Sequence, residues 1–291
     1  FIILEKNSIK NIFAFHKHRK EYNMEKPQYI NWIVEEAGIV IKDEIPLRCY
    51  KIDYKDDESV LDDWALHIRR NYIEDVQLKD DADDNEMTVK QYLHDYIIPQ
   101  KGEDLGPTAR SADITEILIS DLLEFIHQYS VPRYKLKNRS GKNNSQQGTD
   151  VIAYKYKNED KTPNDKDELV AAEVKATLSN GEYSPIKSAI IDSRKDEHRL
   201  ARSVDYCRKR LKELGKMTES EEVKRFLFKP DNNYRIIYLA AGVSSRENVD
   251  NIIELDFSGE KIKIRSNELI FYVHGRKLME LAHNIYERCC K

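Results

Sequence analysis

The sequence predicts an α/β protein whose mixed sheet is built in the order helix, three strands, helix, strand (αβββαβ). Apolar residues recur at helical spacing from Ile114 to Phe125. Three segments of strand length follow this helix, at residues 130–136, 149–156 and 169–177. A long basic helical stretch over 186–214 and a buried-strand run over 234–241 complete the order. A separate N-terminal α+β region precedes this core.

The N-terminal region, residues 1–107, mixes short strands and helices. We expect its elements in this order: a strand or helix entry over 29–41, a strand over 47–54, a helix over 60–72 and a short helix over 89–98. The acidic stretch from Asp80 to Glu86 is expected to break the helix over 60–72. Pro99 is expected to end the helix over 89–98, because proline cannot continue a helix.

The second predicted domain, residues 108–291, follows a turn cluster that ends at Pro107. Ser111 is expected to cap its first helix. The strand over 130–136 is expected to be an edge strand, because Pro132 has no N–H to donate. Its remaining predicted elements are polar loops over 137–147 and 157–167, a break in the basic helix near 192–199, a strand over 269–273 and a helix over 278–286.

The composition is that of a soluble globular protein, since 40% of the 291 residues are hydrophobic and 34% are charged. No apolar run approaches the roughly 20 residues that span a bilayer, so we expect no membrane association and a cytoplasmic location. The cysteines Cys49, Cys207, Cys289 and Cys290 show no disulfide spacing and are expected to be reduced thiols. Neither they nor the histidines have the spacing of a zinc site.

Charge is distributed unevenly along the chain, although the formal net charge is only −4. Between Lys51 and Glu86 there are 13 acidic and 5 basic residues, whereas between Lys187 and Lys216 there are 10 basic and 5 acidic residues. We expect the basic stretch to contact the phosphates of DNA rather than its bases. The predicted contacts are Lys187, Arg194, Lys195, Arg199, Arg202, Arg208, Lys209 and Arg210. A merely solvated helix face is the alternative interpretation.

Three short segments together supply acidic residues and a lysine. Glu116 lies in the first core helix, Gly148-Thr149-Asp150 opens the second strand, and Glu173-Val174-Lys175 closes the third. Mg²⁺ prefers oxygen ligands, usually one or two carboxylates with several waters. Asp150 and Glu173 are therefore predicted metal ligands, with the Val174 carbonyl as a third and Mn²⁺ as the alternative ion. This order of residues is typical of the PD-(D/E)XK restriction-endonuclease-like core.

Each residue of this set has a predicted role in phosphodiester hydrolysis. Side chains alternate along a strand, so Glu173 and Lys175 share one face while the intervening residues pack on the other. Lys175 is expected to orient the attacking water and offset charge on the phosphate, and Glu116 to reach the metal or its water. The predicted catalytic residues are Glu116, Asp150, Glu173 and Lys175. Asp113 is interpreted as an N-terminal helix charge, with an active-site role as the alternative.

Two longer segments resemble a known family. Trp64-Ala65-Leu66-His67-Ile68-Arg69-Arg70-Asn71-Tyr72 and Arg110-Ser111-Ala112-Asp113-Ile114-Thr115-Glu116-Ile117-Leu118 resemble the HamA family of nuclease subunits from the Hachiman anti-phage defence system. Asp150 and Glu173-x-Lys175 match that family's PD-(D/E)XK centre, and the resemblance covers about residues 60–290. It implies a bacterial immune effector and a DEAD/DEAH-type helicase partner, HamB, that restrains the nuclease until DNA damage or invasion triggers it.

Three functions are open at this point. The leading hypothesis is a Mg²⁺-dependent DNA nuclease controlled by a partner helicase. A stand-alone restriction-type endonuclease would share the same centre but would need a recognition module, which we do not find in the sequence. A non-catalytic DNA-binding scaffold would have no need of intact Asp150, Glu173 and Lys175. The sequence has no G-x-x-x-x-G-K-[ST] loop, so we do not expect the chain itself to hydrolyse ATP.

Overall fold

The computed structural model describes seven ranges of the chain: 25–36, 40–41, 45–144, 146–179, 185–230, 232–246 and 264–291. In the predicted strand or helix entry over 29–41, a short 3₁₀ helix, Gln28–Trp32, leads into a strand, Ile33–Glu36. That prediction is confirmed in part, since residues 37–39 lie outside the described ranges.

The described ranges contain seven strands and eight α-helices. The strands are β1 (Ile33–Glu36), β2 (Val40–Ile41), β3 (Ile45–Ile52), β4 (Val151–Lys155), β5 (Glu168–Thr177), β6 (Arg235–Ser244) and β7 (Glu268–Gly275). The helices are α1 (Glu58–Tyr72), α2 (Asp75–Asp84), α3 (Val89–Tyr92), α4 (Gly106–Asp121), α5 (Pro185–Ser193), α6 (Asp196–Glu213), α7 (Met217–Lys224) and α8 (Leu278–Arg288). Short π-helical turns, Leu93–Ile97 and Leu122–Ile126, extend α3 and α4.

The strands form one mixed sheet in the order β1-β3-β7-β6-β5-β4, with β2 paired to β3. β3, β7, β6 and β5 are parallel neighbours, and β1 and β4 are antiparallel to the strands beside them. The register of β3 on β7 runs from Leu47↔Ile270 to Ile52↔Gly275. The sheet therefore joins strands from both predicted domains, and the boundary at residue 107 stays a prediction.

Helices cover both faces of the sheet. On one face, Val170 and Val174 of β5 belong to a hydrophobic cluster that includes residues of α1, α4 and α8. On the other face, Ala171 belongs to a cluster with residues of α6 and α7. This alternation confirms the predicted faces of β5 and leaves Glu173 and Lys175 on the α6 side.

Helix α5 lies directly against β6 because Gly242 has no side chain. A Cβ atom at Gly242 would lie 2.6 Å from Cγ1 of Ile186 and 3.0 Å from its backbone nitrogen. Gly242 is the register partner of Lys175 on β5. The close approach therefore places α5 beside the strand that carries Glu173 and Lys175.

Helices α1 and α4 are joined by a buried polar cluster around Asp121. The Asp121 carboxylate is fully buried and accepts hydrogen bonds from Tyr29 Oη at 2.5 Å and from Arg133 Nη2 at 2.6 Å. His67 Nε2 lies 2.9 Å from the same carboxylate, and Tyr29 stacks on Trp64 with ring centroids 3.8 Å apart. A carboxylate is stable in this interior because charged and polar partners surround it.

Two predicted helix boundaries are wrong. The acidic stretch does not break a helix, since α1 already ends at Tyr72 and residues 80–84 lie within α2 with most of their charges in solvent. Ser111 does not cap α4, which begins at Gly106 with Pro107 in its first turn. Proline suits that turn because the first N–H groups of a helix have no acceptor within it.

The predicted edge strand over 130–136 is wrong beyond its first residue. Ser130 pairs with Tyr154 of β4 through N···O distances of 2.8 and 2.9 Å, and that is its only strand pairing among the described residues. Pro132 cannot continue the ladder, and Arg133 and Lys135 direct their side chains to acidic residues of α4. The segment is therefore an irregular connection that precedes β4 in the chain. The described meander has two strands rather than three.

We expect Asp121→Ala to lower the free energy of unfolding by about 3–5 kcal/mol, because it leaves buried Arg133 without one of its carboxylate partners. Asp84→Ala, at an exposed position of α2, is the matched control and should change that free energy by less than about 0.5 kcal/mol. Urea unfolding followed by circular dichroism measures both variants. Equally small losses would show that the packing of α1 on α4 does not depend on this cluster.

Candidate active site

The two residues before Asp150 hold it at the start of β4. Gly148 has a φ of +115°, which L side chains rarely adopt, and a Cβ there would lie 3.3 Å from Ser203 Oγ of α6. The Thr149 N–H donates to Ser203 Oγ at 3.2 Å, and Thr149 Oγ1 donates to Asp196 Oδ1 at 2.8 Å. The Gly-Thr-Asp turn is therefore fastened to α6, which fixes the direction of the Asp150 side chain.

The Asp150 carboxylate faces β5. The register Val151↔Ala172 places Asp150 opposite Glu173, one step beyond the end of the ladder. Its Oδ2 accepts the N–H of Val174 at 2.9 Å. The N–H and C=O of one strand residue point to the same neighbouring strand, so the Val174 carbonyl faces this side as well. The three predicted metal ligands thus lie at one end of the β4–β5 pair.

Glu173 and Lys175 lie side by side under α5 and α6. Lys175 Nζ is 2.8 Å from Glu173 Oε1 and 3.0 Å from Asp192 Oδ2 at the end of α5. Arg199 of α6 binds the other oxygen of Glu173, and its Nε lies 2.7 Å from Asp196 Oδ1. The buried Glu173 therefore has a cationic partner on each oxygen.

Lys135 connects Glu116 to Asp150. Its Nζ lies 3.1 Å from Glu116 Oε2 and 3.1 Å from Asp150 Oδ1, and it also donates to the Asp150 carbonyl at 3.3 Å. All three side chains line one pocket beside α4 and are largely shielded from solvent. An ammonium group thus occupies the space between two carboxylates, as a bound cation would.

Burial and neighbouring charges shift the pKa values of this site. Burial is the main cause that raises the pKa of Glu116 to about 8, with Lys135 opposing the shift and Asp150 adding to it. Burial, followed by the charge of Asp150, also raises the pKa of Glu173. Burial disfavours the Lys175 ammonium, but two adjacent carboxylates outweigh it and raise the pKa of Lys175 above its ordinary value. Lys175 therefore stays charged at neutral pH.

The donor set fits a hard divalent cation that keeps part of its water shell. The Glu116 and Asp150 carboxylates already hold a positive charge between them. Across the ranges that the structure describes, the carboxylate oxygens of Glu116, Asp150 and Glu173 do not all approach within 4.8 Å of one another. Mg²⁺ takes one or two carboxylates and several waters, so its binding by Asp150 and Glu173 stays a prediction. Binding would require Lys135 or Arg199 to release a carboxylate oxygen.

Most of the eight predicted phosphate contacts are engaged within the protein. Arg199 binds the site carboxylates, Arg208 and Lys209 pair with Asp205, Lys195 pairs with Asp192, and Arg210 pairs with Glu213. The Arg208 and Arg210 side chains are only 19% and 15% exposed. To contact a phosphate, each of these guanidinium groups would have to leave a partner, so their role in DNA binding stays a prediction.

Three residues of the basic stretch form an exposed basic stripe, which we define as Lys195, Arg202 and Lys209. Within it, Lys195 pairs with Asp192 and Lys209 pairs with Asp205, and both lysine side chains remain more than half exposed. Their seven-residue spacing places them on one face of α6, with Lys195 directly before the first residue of the helix. The stripe starts near the candidate site and runs for about 21 Å, from 14 residues at 1.5 Å each. Lys187 lies in the first turn of α5, and Arg194 lies in the turn between α5 and α6.

Asp113 is not an N-terminal helix charge, and that interpretation is wrong. It lies in the middle of α4, is buried, and pairs with Arg139 through contacts of 2.6 and 2.9 Å. Tyr72 Oη donates to the same carboxylate at 2.5 Å. These contacts fasten the polar segment over 137–147 to α4 and α1, which gives Asp113 a packing role.

Sequence reasoning did not identify Lys135 as a residue of the site. Arg133, Lys135 and Lys137 occur at alternate positions of a segment that is otherwise apolar or aromatic, and each pairs with an acidic residue elsewhere in the chain. Basic residues with a period of two in a predicted edge strand are the signal that could have indicated buried acidic partners.

Comparison with known protein families identifies the family of the chain. The model of the HamA family matches residues 27–289 of the 291. The chain belongs to the HamA family. The match reaches further towards the N-terminus than the resemblance around residues 60–290 and includes every residue of the candidate site. No curated protein matches the chain.

HamA membership makes the chain a component of the Hachiman antiviral defence system, which contains other subunits. In the described part of this HamA chain, no helix has both the length and the apolar composition needed to cross a bilayer.

Replacing Lys135 by Met should increase the affinity of this HamA chain for Mg²⁺, because the ammonium no longer competes for Glu116 and Asp150. We expect an increase of about tenfold, or about 1.4 kcal/mol, in calorimetric titrations at about pH 9, above the pKa of Glu116 in the wild-type chain. Loss of the ammonium raises that pKa in the variant, so the titrations are repeated at a higher pH. Lys155→Met is the matched control, since Lys155 is on β4 and its Nζ contacts the His127 carbonyl at 3.3 Å. Unchanged affinity in Lys135→Met would show that the ion binds elsewhere.

Proposed function

We propose that this chain is the Mg²⁺-dependent DNA nuclease of its Hachiman complex and that a HamB-like DEAD/DEAH-type helicase subunit controls it. The observation that carries the proposal is the meeting of Asp150, Glu173 and Lys175 at the end of the β4–β5 pair, with Glu116 linked to Asp150 through Lys135. Glu116, Asp150, Glu173 and Lys175 are the proposed catalytic residues, and Mn²⁺ is the alternative ion.

The residues present suit phosphodiester hydrolysis. Bound Mg²⁺ would polarise the phosphate and lower the pKa of a water. Asp150 and Glu173 would hold the ion by carboxylate oxygens, with the Val174 carbonyl on the same side. Lys175, which stays an ammonium, would position a water and offset negative charge on the phosphate. Glu116 lines the same pocket, and a bound cation would lower its raised pKa and favour the carboxylate that can accept a proton.

In the structure, the carboxylates of the site are bound by the protein's own cations. Lys135 lies between Glu116 and Asp150, and Arg199 binds Glu173. An incoming DNA phosphate would offer both cations a new anionic partner, because guanidinium groups bind phosphate strongly. Release of the carboxylates would in turn favour the metal. We therefore expect Mg²⁺ and DNA to bind this site cooperatively.

The non-catalytic DNA-binding scaffold is the second candidate, and one observation favours it. The side-chain cations pair with every carboxylate of the site, as a scaffold that binds no metal would require. The stand-alone endonuclease is less well supported, because the basic stripe offers contacts with phosphates rather than with base edges. The first prediction below separates catalysis from binding alone.

Lys175→Ala should reduce Mg²⁺-dependent cleavage of plasmid DNA by at least about a hundredfold, because the positioned ammonium at the phosphate is lost. The fold should be retained, since the Lys175 side chain is partly exposed. Lys157→Ala, on the exposed loop after β4, is the matched control and should cut at the wild-type rate. Wild-type cleavage by Lys175→Ala, or no cleavage by the wild-type protein in its complex, would favour the scaffold.

The triple substitution of Lys195, Arg202 and Lys209 by Ala should weaken DNA binding equally for all sequences. We expect the slope of log affinity against log salt to fall by up to about 3, roughly 0.9 for each phosphate contact that is lost. The matched control is a second triple variant in which the exposed residues Lys55, Lys79 and Lys90 become Ala. It removes the same positive charge from the predicted N-terminal region, residues 1–107. Equal slopes in the two variants would identify the stripe as a solvated helix face.

The isolated chain should cut intact plasmid faster than the resting complex with its helicase does. A nuclease that reads only phosphates would also cut the host genome, so control must come from a partner. Time courses with the free chain, the resting complex and the complex supplied with ATP and DNA ends measure this difference. Equal rates for the free chain and the resting complex would show that the helicase does not restrain the nuclease.

A further inference from the structure

A second group of ligand-type side chains lies near the other end of the sheet order. Glu36 of β1, Cys49 of β3 and His274 of β7 each direct one donor atom to a common point, and these atoms all lie within 4.8 Å of one another. Cys49 Sγ is 3.5 Å and His274 Nε2 is 2.9 Å from the same Glu36 oxygen. Strand β6 lies between β7, which carries His274, and β5, and the group shares no residue with the candidate nuclease site.

The strand registers explain how three residues so distant in sequence meet. Glu36 is the register partner of Cys49 in the antiparallel β1–β3 pair. Lys51, two residues after Cys49 and thus on the same face, is the partner of His274 in the parallel β3–β7 pair. The thiol and the imidazole are 0% and 1% exposed, whereas the Glu36 side chain is 33% exposed. The group therefore has two buried donors and one donor at the surface.

The distances fit a tetrahedral metal ion. With a metal–sulfur bond of 2.3 Å and nitrogen or oxygen bonds of 2.0–2.2 Å, a tetrahedral ion separates sulfur from oxygen ligands by about 3.6 Å and nitrogen from oxygen ligands by about 3.4 Å. The sulfur–oxygen distance of 3.5 Å already matches, and the nitrogen–oxygen distance of 2.9 Å needs to widen by only about half an ångström. The exposed side of Glu36 leaves room for a water as the fourth ligand.

The hydrogen bonds of His274 indicate a cation at its Nε2. His274 Nδ1 lies 3.0 Å from the Arg246 carbonyl, and its Nε2 faces the Glu36 carboxylate, so both ring nitrogens meet acceptors. A neutral imidazole has one N–H and can satisfy only one of them. With a metal at Nε2, the Nδ1–H donates to the carbonyl, which is the usual arrangement of a ligating histidine. A doubly protonated ring paired with Glu36 is the competing arrangement.

We propose that Glu36, Cys49 and His274 bind a Zn²⁺ ion that fastens strand β1 to β3 and β7. The mixture of one sulfur, one nitrogen and one oxygen donor favours zinc over Mg²⁺, which takes oxygen ligands only. Binding releases the thiol proton of Cys49 to the solvent, since the thiolate is the ligand. This inference is independent of the proposed nuclease function.

Cobalt substitution tests the site directly, because Co²⁺ bound to a thiolate absorbs in the near ultraviolet and Co²⁺ bound by oxygens alone does not. The purified full chain is freed of metal with a chelator and then titrated with Co²⁺ in excess Mg²⁺, which occupies oxygen-ligand sites. We expect one equivalent of Co²⁺ to give thiolate absorption and one equivalent of Zn²⁺ to remove it. Cys49→Ser should lose the absorption, and His274→Gln should weaken Co²⁺ binding at least about tenfold. Cys290→Ser, which removes a buried thiol elsewhere, should keep the absorption.

Absence of thiolate absorption in the wild-type chain, or its persistence in Cys49→Ser, would overturn the proposal in favour of the protonated His274–Glu36 pair. If Cys49→Ser does not fold, Glu36→Gln at the partly exposed position replaces it and should also weaken binding. Zn²⁺ should raise the melting temperature of the wild-type chain by several degrees, because a ligand that binds only the folded state stabilises it. An unchanged melting temperature with Zn²⁺ would likewise contradict the site.

Discussion

The structure depends on the pairing of acidic residues, most of them buried or half-buried, with four basic residues of one short segment. Arg133, Lys135, Lys137 and Arg139 occur at every second position, and each reaches an acidic residue elsewhere in the chain. The partners lie in α4, at the start of β4 and before α2. A buried carboxylate without a positive partner would cost several kcal/mol. This segment therefore fixes the position of α4 against the sheet. Through Lys137 and Glu74 it also holds the connection before α2.

The same pairing explains the local geometry of the candidate site. Lys135 binds both Glu116 and Asp150, so the two carboxylates meet across an ammonium group. The Gly-Thr-Asp turn, held by α6, brings Asp150 to the same point. The site is thus assembled from helix α4, the sheet and helix α6. The protein's own cations balance its charge, so the metal binding that we propose would be an exchange of cations.

Local periodicity predicted most of the fold and part of the site. Helix α1, strand β5 and the break between α5 and α6 followed from the spacing of apolar and charged residues, because each buries one face against the sheet. The placement of Glu173 beside Lys175 followed from strand alternation. The irregular segment over 131–136 could not be predicted in this way, since charge pairing with distant residues overrides its strand propensity. Likewise, Glu36 and His274 meet only through the registers of β1, β3 and β7, which no local spacing reveals.

The central claim is that a divalent metal takes over carboxylate oxygens that Lys135 and Arg199 bind in the structure. The most direct measurement is an anomalous difference map from crystals of the chain grown with Mn²⁺, which scatters anomalously and replaces Mg²⁺. The account predicts a peak about 2.0–2.2 Å from oxygens of Asp150 and Glu173, with Lys135 or Arg199 moved away from at least one of its carboxylate partners. A peak elsewhere, or no peak with both cations still in place, would contradict it.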